Sequence, residues 1–286
     1  GVVLVILVMV GVRIGLSPLQ DNSFLTPLST GRLIFDNGSI PTADPYSFTA
    51  FGRDWTVQSW GDSVIYAGAE RTVGLIGIRI INAAVAVALV LVLWRLTKPA
   101  RTLVPRVLVA GTIVCMGTGL WVERPLLFGA LGLALVMLAA DDGLDPRWLV
   151  PIMWLWVNIH GSFPFGPGVL VLLVAGRWID DRARPDVELR ALGWATVGTL
   201  LGAIGPIGPK LLVFPLQLLS KRDAFEGVAE WEPPTWERGV ELFFAAQLLM
   251  LVVAIVVRHR KWRAILPTVV FGLAAVVVLM PLLFNA

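Results

Sequence analysis

The sequence predicts an all-α protein, a polytopic transmembrane helical bundle of about nine spans with two interfacial helices in its first outer loop. Three observations predict it. Hydrophobic residues make up 57% of the 286 residues and charged residues 15%, where a soluble domain carries about 25% charged. Apolar runs of near span length recur along the chain, and a bilayer core needs about 20 such residues per helix. No alternating strand pattern is seen, so helices are the way this backbone satisfies its hydrogen bonds in lipid.

The expected spans lie near 1–16, 73–95, 104–121, 125–140, 147–160, 164–179, 190–206, 240–257 and 264–284. Tight turns at Glu123-Arg124-Pro125 and Gly161-Ser162-Phe163-Pro164 mark helical hairpins. Residues 1–286 read as a single membrane module. It starts at Gly1 inside an apolar run and stops at Phe284-Asn285-Ala286, which suggests trimming at both ends. Two long connections stand out, 17–72 and 207–239.

In the first connection, one short helix is expected to start with Thr26 as N-cap and Pro27 at N1 and to end at Asn37-Gly38. A second is expected from about Ser59 to Arg71, with Trp60, Val64 and Ala67 on its apolar stripe. Between them, the prolines at 41 and 45 force an extended stretch. The second connection, 207–239, reads as a loop.

Charge sets the orientation. Arg95, Lys98, Arg101 and Arg106 fill one short linker, Arg177, Arg182, Arg184 and Arg190 another, and Arg258, Arg260, Lys261 and Arg263 a third. Under a nine-span count these share one face with the 141–147 linker, and the positive-inside rule makes that face cytoplasmic. The sequence pI near 9.4 is thereby a membrane signature and not a nucleic-acid one. The 17–72 connection, the Glu123 turn, the His160 turn and the 207–239 connection then share the extracytoplasmic face of a plasma-membrane protein.

Candidate chemistry gathers on that face. Asp21 sits just past the first span, where apolar walls can tune a carboxylate toward general-base work; the bland alternative is a solvated loop acid. Asp44 reads as a turn residue before proline. Glu123 and Arg124 form a charged pair between two apolar runs, suited to phosphate recognition or to a structural ion pair. Asn158 and His160 bring a polar pair to the outer end of the fifth span, where a structural role competes with ligand donation. Lys210 and Arg222 supply cations, and Glu230 and Trp231 an acid and an aromatic, for an anionic headgroup or a sugar ring. Tryptophans of the interfacial belt give the same pattern. Cys115 stands alone in an apolar run, so no intramolecular disulfide is available. With His160 and His259 the sole histidines, a His-rich metal site is excluded. No P-loop, dinucleotide fingerprint, HExxH or GxSxG is present.

Asp21, Thr30-Gly31-Arg32-Leu33-Ile34, Gly38-Ser39-Ile40-Pro41-Thr42-Ala43-Asp44-Pro45-Tyr46-Ser47-Phe48-Thr49, Trp55 and Gln58-Ser59-Trp60 together resemble a group of bacterial GT-C-type membrane glycosyltransferases, mostly actinobacterial. Glu123-Arg124-Pro125-Leu126-Leu127-Phe128, Trp156-Val157-Asn158-Ile159-His160-Gly161 and Glu230-Trp231 fit the same group, so the resemblance covers nearly the whole chain. It implies inverting transfer of a sugar from a polyprenyl-phosphate donor to an acceptor hydroxyl on an envelope glycan, lipid or protein. It also implies Asp21 as catalytic base. Arg124, His160, Lys210 and Arg222 are then expected to bind the leaving phosphate, in falling order, with Asp44, Glu123, Asn158, Glu230 and Trp231 completing the substrate site. No cofactor is required; a divalent cation held by Asp44 and Glu230 is left open. Pro27 departs from the pattern, where similar sequences often carry His. The rival readings are a transporter or lipid flippase, and a non-catalytic assembly subunit.

Overall fold

A computed structural model describes residues 2–19, 22–100, 102–117 and 121–220, with isolated positions between 242 and 252. Among these the chain is all-α. Ten α-helices run in order: α1 (Val2–Gly15), α2 (Leu25–Asn37), α3 (Trp60–Val73), α4 (Ile76–Leu96), α5 (Leu103–Gly117), α6 (Leu126–Ala140), α7 (Leu149–Ile159), α8 (Phe165–Asp181), α9 (Asp186–Leu201) and α10 (Lys210–Leu219). The expected helix positions agree within a few residues through α9.

The count of nine spans is not supported. Among the described residues α4 is the one helix long and apolar enough to cross a membrane. Helix α6 has 15 residues and α7 has 11. At about 1.5 Å per residue both fall well short of a hydrocarbon core of about 30 Å. The expected spans at 240–257 and 264–284 lie outside the described residues, the isolated positions apart, as does the side chain of Cys115.

Residue packing divides the chain into two compact units, one of residues 1–170 and 187–217, the other of 171–186 and 218–286. The first unit carries the core. One cluster joins Val85, Ala86, Leu89 and Val90 of α4 to Val114 of α5, Trp121, and Leu127 and Ala134 of α6. A second joins Phe24 and Leu28 to Tyr66, Ala67 and Ile78, with Leu19 packed against it. Helix α1 lies on α4 with no side-chain spacer, since a methyl at Gly15 would overlap the backbone of Ala83. The outer sides of α1 and α5 expose Val5, Met9, Val104 and Leu108. In the second unit, the described residues carry ion pairs between Arg177 and Asp181 and between Arg184 and Asp186.

The two helices of the first connection are both present, with differences at their starts and faces. Helix α2 ends as expected: Gly38 adopts φ 67° and donates its N–H to Ile34. It begins earlier than expected. A 3₁₀ turn over Asn22–Phe24 leads directly into Leu25, because Phe24 is anchored in the core. Thr26 is therefore inside the helix, where its carbonyl accepts the Thr30 hydroxyl at 2.7 Å. On α3 the buried side is Asp62, Ser63, Tyr66 and Ala67, not a stripe of Trp60, Val64 and Ala67. Close approach of α2 turns the helix: a methyl at Gly31 would overlap the Ser63 carbonyl. Exposed ion pairs from Arg32 to Glu70 and from Arg71 to Asp36 also link the two helices.

The extended stretch after Gly38 forms one side of a small hairpin. Ala43 bridges Asp54, and Trp55 N–H donates to Thr42 at 2.8 Å. The 207–239 connection is not wholly a loop, because α10 occupies its first third. Its run of Leu211, Leu212, Phe214, Leu216, Leu218 and Leu219 continues the helix through Pro215.

Candidate functional site

Four connections meet at one end of the first unit. Trp60, at the start of α3, donates its indole N–H to Asn158 Oδ1 at 2.7 Å. Asn158 Nδ2 donates to the Trp154 carbonyl at 2.7 Å and to Gly202, just past α9, at 3.4 Å. A methyl at Gly161 would fall 2.7 Å from Gln58 Oε1. The α6 N-terminal turn reaches the same place, with Gly129 lying against Ser162 and His160. Asn158 is 1% exposed, so its amide is a clamp among three segments far apart in the chain.

His160 follows α7 in extended conformation and closes the helix by donating its N–H to Trp156 at 2.9 Å. The turn folds back on the ring. Ser162 N–H donates to His160 Nδ1 at 3.2 Å, and the Ser162 hydroxyl lies 2.7 Å from the same nitrogen. Trp156 Nε1 donates to Ser162 Oγ at 3.1 Å. Trp156 and Ser162 are buried and His160 is half-buried.

A second polar group lies on α3. Asp62 and Tyr66, one turn apart, are both fully buried, and among the described residues neither carboxylate oxygen of Asp62 nor the Tyr66 hydroxyl has a hydrogen-bond partner. Burial pushes the Asp62 carboxyl well above the usual carboxylate range. Burial, then the fields of Asp62 and Glu123, push the Tyr66 hydroxyl up as well. Asn82 is also buried, with Oδ1 unpartnered. It lies one turn beyond Ile78, the α4 residue packed in the Tyr66 cluster. Chemically, Asp62 and Tyr66 set a buried carboxyl beside a buried hydroxyl on one face of α3. Among the described residues no group of three or more His, Cys, Asp or Glu could hold a metal ion.

The expected site residues are distributed as follows. Asn158 and His160 sit together at the meeting of the connections. Glu123 is buried and Arg124 half-buried in the turn before α6, and both are engaged in interactions. Asp44 organises the hairpin: Oδ1 accepts from Tyr46 N–H at 2.8 Å and Ser47 N–H at 3.0 Å, and Oδ2 accepts the Ser47 hydroxyl. Those bonds, the Ser47 hydroxyl first, hold its carboxyl below the ordinary value. Lys210 is exposed at the start of α10. Asp21, Arg222, Glu230 and Trp231 lie outside the described residues; Leu19 and Phe24, on either side of Asp21 in the chain, pack in the Tyr66 cluster.

Sequence reasoning missed Asp62, Tyr66, Asn82, Trp156 and Ser162. The signal for the first two was present, since an acid and a tyrosine at i and i+4 share one helix face. Ser162 followed His160 at a spacing suited to a turn that folds back on its own side chain.

No family model matches this chain, and no curated protein or solved structure shows significant similarity to it.

Proposed function

We propose that this chain is a membrane-embedded, inverting glycosyltransferase of the GT-C type at the plasma membrane. It takes a sugar from a polyprenyl-phosphate donor at the extracytoplasmic face. One observation carries the reading: the start of α3, the turn after α7 and the segment just past α9 pack together at one end of the first unit, through the Trp60–Asn158–Gly202 clamp. The exposed apolar sides of α1 and α5 suit contact with lipid.

In this reading Asp21 takes the proton of the acceptor hydroxyl, and that oxygen attacks the anomeric carbon. The bond to the lipid phosphate breaks, and the phosphate leaves with the electron pair. Arg124, His160, Lys210 and Arg222 stabilise its growing negative charge, and Asp44, Glu123, Asn158, Glu230 and Trp231 shape the site. The test is Asp21→Asn in the full chain, in lipid nanodiscs, with a polyprenyl-phosphate sugar as donor. Transfer should fall by about 10²–10⁴-fold, with the melting transition and donor binding unchanged. Turnover near the wild-type rate removes Asp21 from the mechanism.

The buried, unpartnered Asp62 favours a second reading, a proton-coupled transporter, because such acids mark proton paths in membrane proteins. Proteoliposomes separate the two. Movement of substrate across the bilayer without bond formation supports the carrier, and new glycosidic product supports the transferase.

A further inference from the structure

The turn after α7 holds a histidine whose protonation its neighbours dictate. A backbone N–H can only donate, so the 3.2 Å contact from Ser162 N–H makes His160 Nδ1 an acceptor. An indole N–H can only donate as well. Trp156 Nε1–H therefore occupies a lone pair of Ser162 Oγ at 3.1 Å and leaves the hydroxyl proton to point at Nδ1, 2.7 Å away. Two donors converge on one ring nitrogen. A proton arriving at Nδ1 would face the Ser162 backbone N–H donor to donor and force the hydroxyl to rotate, in a mostly buried turn.

The ring is thus neutral, with its proton on Nε2. That nitrogen has no hydrogen-bond partner among the described residues, and the residue as a whole is half-buried. Gly129 is part of the device. A methyl there would fall 2.6 Å from Ser162 Oγ and 3.1 Å from Trp156 Nε1, so the relay needs that position bare.

We propose that His160 is a fixed, uncharged Nε2–H donor to an anionic phosphate oxygen, and that Ser162 and Trp156 are the positioning residues that lock its tautomer. The phosphate, lipid-linked or free, rests on the transferase reading; the locked donor does not. A neutral donor stabilises the anion without releasing a proton to it, and its strength does not change across neutral pH. It differs from Arg124 and Lys210, whose charge attracts any anion at a distance. His160 acts by direction.

The experiment uses the full chain in nanodiscs, in a His259→Gln background so that one histidine remains. Imidazole ¹⁵N shifts should show a protonated Nε2 and a bare Nδ1, unchanged from pH 5 to pH 8. A protonated Nδ1, or a ring that becomes cationic in that window, overturns the proposal. Binding is then measured with farnesyl phosphate, inorganic phosphate and farnesol. Farnesyl phosphate should bind, and His160→Ala should weaken it by about tenfold.

His160→Gln, whose amide N–H reaches the Nε2 position, should stay within about threefold of wild type, and His160→Asn, which reaches only Nδ1, should behave like Ala. Ser162→Ala keeps the backbone N–H at Nδ1 but loses the hydroxyl, so a minor Nδ1–H population should appear; an unchanged tautomer ratio would remove the hydroxyl from the lock. An equal His160 dependence for inorganic phosphate keeps the donor and assigns it to free phosphate. Binding indifferent to His160, or equal for farnesol, sinks the proposal. A locked tautomer and His160-dependent phosphate binding in a protein that transfers no sugar would sink the transferase reading alone.

Discussion

Two of the buried polar groups in the first unit are built oppositely. Around the end of α7, Asn158, His160, Ser162 and Trp156 bond to one another, to Trp60 and to the backbone. On α3, Asp62 and Tyr66 have no hydrogen-bond partner among the described residues. The first group determines geometry, because each bond removes a freedom from a connection that would otherwise float. The second costs stability, since a buried unsatisfied polar group forfeits its hydration without replacement. A chain that keeps such a group at full burial keeps it against the folding free energy.

The sharpest way to break this comparison is to cut the clamp. Asn158→Leu removes three hydrogen bonds at once and should destabilise the fold by about 3 kcal/mol, against about 1 kcal/mol for Trp60→Phe, which removes one. Thermal unfolding in detergent measures both. Equal losses would mean that Asn158 is filler.

The opposite sign is expected on α3. Asp62→Asn should stabilise the protein by about 1–3 kcal/mol in alkaline solution. The folded carboxyl is held above its unfolded value. Its contribution is therefore fully present below the unfolded range, about pH 4, and is lost as pH rises through the folded value. An amide has no such loss, so the advantage should be absent near pH 4 and grow toward pH 8 in melting curves. A variant less stable than wild type at pH 8 would show that Asp62 has a partner after all.

The smallest effect belongs to the surface. Arg32 and Glu70 bond through exposed side chains, and each shifts the other's ionisation in the favourable direction. Water screens the pair, so Arg32→Ala should cost about 0.5 kcal/mol, and less in high salt. A double-mutant cycle with Glu70→Ala at two ionic strengths checks this; a coupling insensitive to salt would make the pair part of the core.

Much of the fold was legible. The starts and stops of α4, α6 and α7 follow apolar runs bounded by Pro, Gly and charge, and the left-handed Gly38 closes α2 where the sequence placed it. Less of the site was. Asn158 and His160 stood out because polar residues at the end of an apolar helix are conspicuous. Asp62 did not, because Trp60, Val64 and Ala67 offered a plausible apolar stripe a few tens of degrees away. Helix α10 was missed because Pro215 and a cluster of prolines and glycines before it read as loop, whereas a proline inside a short helix is tolerated when the apolar face has somewhere to pack.

The chain's order of residues was enough to make it helical, to set most helix ends within a few residues, and to sort arginine-rich linkers from aromatic ones. Those properties depend on neighbours within a turn or two. Only the tertiary structure decided which side of α3 is buried, that Asp62 is left without a partner, and that Trp60 meets Asn158, 98 residues away. Burial and hydrogen-bond satisfaction are supplied by segments distant in sequence, and no local pattern encodes them.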